Sequence, residues 1–327
     1  MKHARIAVVG CGRWGPNHIR TFSSLRGAQV VAAVERDPAQ HARLAASFPG
    51  LPLLSDAASA FRDEAVDAVV IAAPTAAHYK LVKAALQAGK HVLCEKPLCE
   101  TSAQARELTA LARRKRLVLM VGHVFLFNGG IVKLKRLIDA GELGKLHYLS
   151  AVRTNLGPIR SDVNAAYDLA AHDIAIFNWL LGAAPQWVSA TGGAFLQKNI
   201  EDVTFMTLRY PGGVVANIHA SWLNPKKVRQ AIVVGSKKMA TWDDLELSTP
   251  VAVYDKGVKR AQTYPDYGTF LRLSLWDGDV HLPKINLEEP LKAQDRAFVS
   301  AVLSGKLDRS DGRFAVGASL RPPRGVV

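Results

Sequence analysis

Short apolar runs recur through the first 122 positions, alternating with segments of helical spacing, and this rhythm constrains the fold more than any other feature. The runs are Ile6 to Val9, Val30 to Val34, Ala68 to Ala73, His91 to Cys94 and Leu117 to Val121. Between them, Pro16 to Leu25, Ala39 to Ser47, His78 to Ala88 and Ser102 to Lys115 read as helices. A strand that is apolar on consecutive residues is buried on both faces, the condition of a parallel sheet between two helical layers. The expected class is therefore α/β, with a parallel-sheet domain over residues 1–122. After Gly122 the rhythm changes. Gly130 to Ala140 reads as helix and Gly141-Glu142-Leu143-Gly144 as a turn. Strands then follow with fewer helices between them: Leu146 to Thr154, Trp187 to Thr191, Val203 to Tyr210, Val214 to Ser221 and Val228 to Val234. The turn Tyr210-Pro211-Gly212-Gly213 joins two of these as a hairpin. Residues 123–327 are thus expected to form an α+β domain on an open, largely antiparallel sheet with helices on one face.

A chain of 327 residues is long for one domain. With 49% apolar and 21% charged residues it has an ordinary globular balance. The net charge of +14 raises the question of nucleic acid, because clustered cations supply most non-specific affinity for phosphate backbones. The excess is spread, however: 17 Lys/Arg against 9 Asp/Glu up to residue 122, and 25 against 19 beyond it. Only Arg113-Arg114-Lys115-Arg116 forms a run, at the solvated end of an expected helix. No nucleic-acid partner is expected; the positive field suits a small anionic ligand instead. No stretch approaches the roughly 18 apolar residues that span a bilayer. Met1-Lys2-His3-Ala4-Arg5 enters a strand without a leader-like apolar region. Cys11, Cys94 and Cys99 form no Cys-x-x-Cys pair and, being odd in number, no complete disulfide framework. The expectation is a cytoplasmic protein with no membrane segment and no metal site.

The loop Gly10-Cys11-Gly12-Arg13-Trp14-Gly15 directly follows the first strand and opens the first helix. In that setting its glycines let the backbone turn tightly and approach a pyrophosphate, toward which the helix amino terminus points. Glu35 lies 20 positions past Gly15, at the end of the second strand. A carboxylate there accepts hydrogen bonds from an adenosine ribose, so the expected ligand is NAD or NADP. A 2′-phosphate about 4 Å from Glu35 costs on the order of 4 kcal/mol per charge pair at intermediate dielectric, which favours NAD. Arg36 offsets that by turning toward a phosphate, or stacks on adenine, so NADP stays open. Pro74, Thr75 and His78 follow the strand Ala68 to Ala73 and are expected along the nicotinamide half. For His78, a helix-start residue without ligand contact is nearly as good a reading.

Lys90-His91-Val92-Leu93-Cys94-Glu95-Lys96-Pro97 carries a strand straight into a Glu-Lys-Pro turn. The carboxyl end of a parallel strand opens onto the crevice where such sheets bind ligands, which makes Lys96 a cation beside the dinucleotide. Taken alone, the turn reads better as a surface lysine pinned by proline. Tyr167 to Leu181, closed by Gly182, reads as one helix. Leu169, Ala170, Ile174, Ile176, Phe177, Leu180 and Leu181 form an apolar arc, with Asp168, His172, Ala175 and Trp179 on the opposite side. Asp168 and His172 are four apart and share a face. A carboxylate beside an imidazole fixes its tautomer and favours its cation, which suits proton exchange with a hydroxyl. On spacing alone a surface Asp–His pair is the simpler account. Asp173 falls among the apolar residues and needs a buried partner.

Together the glycine loop with Glu35, the Glu95-Lys96-Pro97 turn and Asp168-x-x-x-His172 resemble the glucose–fructose oxidoreductase/inositol dehydrogenase (Gfo/Idh/MocA) family. Ala73-Pro74-Thr75 with His78, Ala88-Gly89-Lys90-His91-Val92 and Gly141-Glu142-Leu143-Gly144 extend the likeness over nearly the whole chain. The resemblance implies an amino-terminal Rossmann domain and a carboxyl-terminal α/β domain whose open sheet often forms an oligomer interface, hence a homodimer or homotetramer. It implies NAD(P)-dependent oxidation or reduction of a secondary hydroxyl on a sugar, cyclitol or nucleotide sugar. Carried over by motif, Gly10, Gly12, Arg13, Trp14, Gly15, Glu35, Arg36, Pro74, Thr75, His78, Glu95 and Lys96 serve the cofactor. Lys96 also meets the substrate hydroxyl and stabilises charge on its oxygen. His172 is the acid/base, Asp168 orients it, and a hydride passes between nicotinamide and substrate carbon, at a junction of the two domains.

Trp14, Asn17 and Arg153-Thr154-Asn155-Leu156-Gly157-Pro158-Ile159-Arg160 resemble a branch of nucleotide-sugar and surface-polysaccharide pathways. Arg153, Asn155, Arg160, Asp168 and His172 are then the expected substrate contacts, beside Lys96. Arg153, Arg160, Lys226, Lys227 and Arg229 supply cations for a sugar diphosphate or are solvated surface charges. A free-sugar or inositol dehydrogenase is the runner-up. A cofactor-sensing regulator without turnover is the alternative from another class, and joint retention of Lys96, Asp168 and His172 argues against it. Family members close with an amphipathic helix after an Asp-Gly-Arg turn, here Asp311-Gly312-Arg313. This chain ends Arg321-Pro322-Pro323-Arg324-Gly325-Val326-Val327, and paired prolines do not continue a helix.

Overall fold

A computed structural model describes residues 3–157, 159–161, 163–259, 274–307 and 309–314. The proline-containing tail lies outside them. The chain divides into two compact units, one running to Phe127 and resuming at Glu288, the other spanning residues 128–287.

The first unit holds β1 (Ala4–Val9), β2 (Ala28–Val34), β3 (Leu53–Leu54), β4 (Ala68–Ile71), β5 (His91–Glu95) and β6 (Leu119–Gly122). All neighbours pair in parallel, in the order β3-β2-β1-β4-β5-β6. The connecting helices are α1 (Gly15–Ser23), α2 (Pro38–Ser47), α3 (Ala57–Arg62), α4 (Thr75–Gln87) and α5 (Ser102–Lys115). The consecutive apolar residues explain the sheet: every residue of β4 and β6 is buried. The order reverses between β1 and β4, and the crevice at such a switch point is where open α/β sheets bind ligands. β3 and α3 lie outside the sequence expectation; two strand residues carry no readable period, and α3 is set by Asp56, whose side chain accepts the Ser59 amide at 3.2 Å.

The domain boundary expected at residue 122 needs correction at the far end. Helix α8 (Pro290–Ser304; no other helix of this length follows among the described residues) belongs with the first unit, not the second. Its buried face of Leu291, Phe298 and Val299 requires apolar partners, and Phe298 meets Phe22 of α1 edge-on at 6.3 Å. Burial of such a stripe stabilises by roughly 25 cal/mol per Å² of apolar surface removed from water.

The second unit carries α6 (Gly129–Asp139), β7 (Leu146–Thr154), a π-helical turn (Ala166–Ala170) and α7 (Ala171–Leu181). Strands β8 (Trp187–Gly193), β9 (Val203–Arg209), β10 (Val215–Ser221), β11 (Val228–Gly235), β12 (Met239–Asp243), β13 (Val251–Lys259) and β14 (Ser274–His281) follow. The order is β14-β13-β12-β11-β7-β10-β9-β8. Only β7 and β10 pair in parallel; the other neighbours are antiparallel, as expected for an open sheet of this kind. Side chains alternate in burial: Thr204, Met206 and Leu208 of β9 face inward, Phe205 and Arg209 outward. On the open face Tyr148, Trp187, Phe205, Val215 and Ile232 remain exposed. Among the described residues no helix is long and apolar enough to cross a membrane.

Candidate functional site

In the first unit the glycine loop joins β1 to α1 at the switch point. Gly10 has φ +87°, and a β-carbon there would come within 2.6 Å of the Ala73 nitrogen, so only glycine lets the two strand ends approach. Beside Gly12 there is open space, with nothing within 4 Å of a β-carbon, which leaves room for a ligand against the backbone. The first turn of α1 has no side-chain cap, so its amides are available to an anion. Glu35 directly follows β2 and braces the loop: its carboxylate accepts the Cys11 amide at 2.8 Å and the Asp37 amide at 3.0 Å. Each oxygen keeps a lone pair for a ribose hydroxyl. Arg13, Trp14 and Arg36 are exposed around this cradle. These features fit a dinucleotide. Gly12 would face the pyrophosphate and Glu35 the adenosine ribose, while Gly15, where a β-carbon would come within 2.3 Å of the Gly10 oxygen, lets the helix pack against the loop.

Pro74 and Thr75 begin α4, after β4. His78, by contrast, is buried, with Nε2 at 2.7 Å from the Ala73 oxygen and Nδ1 at 2.7 Å from the Pro97 oxygen. Its ring ties the end of β4 to the Glu-Lys-Pro turn and offers no face to a ligand, so the scaffold reading replaces the nicotinamide-lining one. Glu95 closes β5, Lys96 follows it, and the Lys96–Pro97 peptide is cis. Glu95 Oε1 lies 3.0 Å from His18 Nε2, and His18 Nδ1 lies 3.1 Å from Asp295 on α8. Burial pushes the His18 imidazole down, but the charge of Asp295 and bonds to Asp295 and Glu95 overturn this and raise it to about 10. His123, just after β6, is driven the other way, to about 4, by burial and then by the Lys96 charge. Sequence reasoning missed His18, Asp295 and His123. The available signal was a titratable residue on an otherwise apolar helix stripe, as His18 is beside Ile19 and Phe22.

In the second unit the helix expected from Tyr167 to Leu181 starts instead as the π turn and becomes α-helical only at Ala171. Such turns are rare and recur at functional sites, because they re-aim side chains. Asp168 sits in the π turn, where Oδ1 accepts Arg160 Nη1 at 3.2 Å and Oδ2 accepts Trp222 Nε1 at 3.2 Å. His172 follows on the first turn of α7, half-buried. The side opposite the apolar arc is not solvated throughout, since Ala175 is buried too.

Asp173 finds its partner in Arg153 of β7: Nε and Nη2 each donate to the carboxylate at 2.8 Å, and both residues are buried. Arg153 is therefore a structural partner of Asp173 rather than a cation offered to substrate. Asn155 lies just beyond β7, its backbone N–H donating to the Ser221 carbonyl oxygen at 3.0 Å. Arg229 pairs with Asp244, whereas Lys226 and Lys227 are exposed. Among the described residues no cluster of His, Cys, Asp or Glu is arranged to hold a metal ion.

Comparison with known proteins gives the family and the fold. Residues 4–123 match the Gfo/Idh/MocA model described as an oxidoreductase family with an NAD-binding Rossmann fold, and residues 131–241 match the family's C-terminal domain. Inositol 2-dehydrogenase 2 of Saccharopolyspora erythraea is 35% identical over 65% of this chain and 65% of its own length. The match thus spans just under two thirds of that relative. UDP-N-acetylglucosamine 3-dehydrogenase of Acidithiobacillus ferrooxidans is 29% identical over 98% of this chain and 96% of its own. A solved structure of that enzyme aligns with a TM-score of 0.83 at 25% identity, covering 98% of this chain and 95% of the other. A 3-ketoreductase from Actinomadura kijaniata, solved with TDP-benzene and NADP, shares the fold at a TM-score of 0.78 and 22% identity, over 97% and 95% of the two chains. The chain belongs to the Gfo/Idh/MocA family and is an NAD(P)-dependent dehydrogenase acting on CH–OH groups.

Proposed function

We propose that the substrate is a nucleotide sugar, oxidised or reduced at a secondary hydroxyl or ketone. The observation that carries this reading is coverage. Likeness to the Acidithiobacillus UDP-N-acetylglucosamine 3-dehydrogenase runs over 98% of the chain, against 65% for the Saccharopolyspora inositol dehydrogenase. Arg160 beside Asp168 and the exposed Lys226 and Lys227 support it, as cations suited to a sugar diphosphate. The nicotinamide, when bound, supplies the hydride acceptor or donor. Lys96 at the end of β5 stabilises negative charge on the substrate oxygen. His172 takes or returns the hydroxyl proton, and Asp168, fixed by Arg160 and Trp222, orients it. Glu35 makes NAD the preferred cofactor over NADP.

The 35% identity to an inositol dehydrogenase favours a second reading, turnover of a cyclitol or free sugar. A panel of nucleotide sugars, free sugars and inositols, scored at the nicotinamide absorbance band with NAD and then NADP, separates the two. Nucleotide-sugar turnover with the highest kcat/KM is expected; turnover confined to inositols would overturn the proposal. We further propose a cytoplasmic homodimer or homotetramer joined through the open sheet face. A charged residue in place of Phe205 or Ile232 should then lower the mass seen by light scattering, and an unchanged mass refutes that interface.

A further inference from the structure

The Glu-Lys-Pro turn is held by a charge that the proposed chemistry leaves unused. His18 is fully buried, and each ring nitrogen faces a carboxylate: Glu95 at 3.0 Å from Nε2, both oxygens of Asp295 at 3.1 Å from Nδ1. Ionised carboxylates only accept hydrogen bonds, and a neutral imidazole donates from one nitrogen alone. Both contacts are satisfied only by the doubly protonated ring. The Thr21 hydroxyl adds a further bond to Asp295. Glu95 is fixed elsewhere too, since its Oε2 accepts the Lys96 amide at 3.3 Å. Its carboxyl group also lies against Gly122, where a β-carbon would come within 3.1 Å of Cδ. One ring thereby joins the helix that starts at the glycine loop, the strand that ends in Glu95 and Lys96, and the returning helix α8.

We propose that His18 is a positioning residue: as a permanent imidazolium it pins Glu95, and through it Lys96, relative to the glycine loop, with Asp295 as its counter-charge. The proposal rests on the role given to Lys96 above. Other charged or titratable groups nearby are Lys96 and Cys94 flanking Glu95, His123 after β6, and Arg20, which feels Asp295 from the exposed Arg20–Glu289 pair. His123 stays neutral above about pH 4, and Arg20 keeps its charge, so neither replaces His18 as the titrating group.

The test uses the full chain. Ring 1H–15N correlation spectra of the cofactor-free protein should show both His18 nitrogens protonated at about pH 8, two units below about 10. A neutral ring at that pH overturns the proposal. Asp295→Asn removes the counter-charge at constant size, so His18 should titrate nearer the ordinary value of about 6.5. NADH affinity of Asp295→Asn, read by nicotinamide fluorescence, should match wild type at low pH and fall about tenfold or more once that value is passed. A merely structural His18 lowers the Tm of Asp295→Asn and leaves its affinity profile parallel to wild type, which also refutes the proposal. His18→Gln should lose affinity at every pH. Lys96→Ala with unchanged turnover would sink the role of Lys96 itself, while the charge of the His18 ring is read without any turnover.

Discussion

Two histidines in this chain are given opposite duties by the proposed chemistry: His18 holds charge, and His172 moves a proton. His18 is sealed in the first unit with a carboxylate on each nitrogen, and its cation survives to about 10. His172 is half-buried on α7, four residues after an aspartate whose oxygens already serve Arg160 and Trp222. A ring clamped by two charges holds its proton across the working range and can only position its neighbours. The acid/base role proposed for His172 asks instead for a ring that exchanges its proton with the substrate hydroxyl. A strongly perturbed titration marks a functional candidate, and the kind of perturbation says whether the group moves protons or holds charge.

The comparison breaks most sharply at His172. His172→Ala should lower turnover by roughly 10²- to 10⁴-fold, the usual worth of a positioned acid/base. NADH affinity, titrated by fluorescence, should stay nearly unchanged. Equal loss of both would make His172 a second positioning group. Next comes the buried pair that anchors α7 to β7. Arg153→Met leaves Asp173 buried without its bidentate partner, and breaking such a pair costs about 3–5 kcal/mol. Denaturant unfolding should show that loss in the second unit, with NADH affinity retained by the first. A loss below about 1 kcal/mol would mean the pair behaves like an exposed one.

How far the sequence reports these arrangements depends on the length scale of the cause. The first sheet is readable because β1, β4 and β5 are apolar on successive residues. β8 to β11 are readable from alternation and from the Pro211-Gly212-Gly213 turn. β12 escapes because its alternation lasts only five residues. Helix α8 escapes because Gln294 and Asp295 interrupt its apolar stripe with polar residues that are nonetheless fully buried. The π turn leaves no trace in the spacing, since a gap of four between Asp168 and His172 reads as α-helix. Asp173 visibly lacks a partner in sequence, yet Arg153 stands 20 positions away in another element. His18 and Asp295 are 277 apart. Local period is written in the chain; the pairing of buried charges is settled by the fold.

Glu95 ends β5 and Glu35 directly follows β2, and the two sharpen the comparison from the carboxylate side. Glu95 is answered by an imidazolium, Glu35 by backbone amides. In the proposed cofactor site a 2′-phosphate would face the Glu35 carboxylate directly. Glu35→Ser should raise the NADP-to-NAD ratio of kcat/KM about tenfold, a modest part of the Coulomb figure once solvent screens it. The ratio cancels any loss from the released Cys11 and Asp37 amides. An unchanged ratio would place the discrimination on Arg36 or elsewhere.

A further effect is graded with pH and separates His18 from its neighbour His123. The folded value of His18, about 10, lies above its ordinary 6.5, so folding gains stability that is complete below about pH 6.5. That gain erodes as pH rises toward 10. His123 is displaced to about 4, so its contribution is complete above about pH 6.5 and erodes as pH falls toward 4. The two slopes have opposite sign and meet near the unperturbed imidazole value. Stability of the first unit, followed by urea midpoint against pH, should therefore peak close to neutrality. In Asp295→Asn the alkaline slope should flatten while the acid slope stays, because only His18 has lost its counter-charge. An alkaline slope identical in the variant would mean that His18 does not carry the proton released on that side.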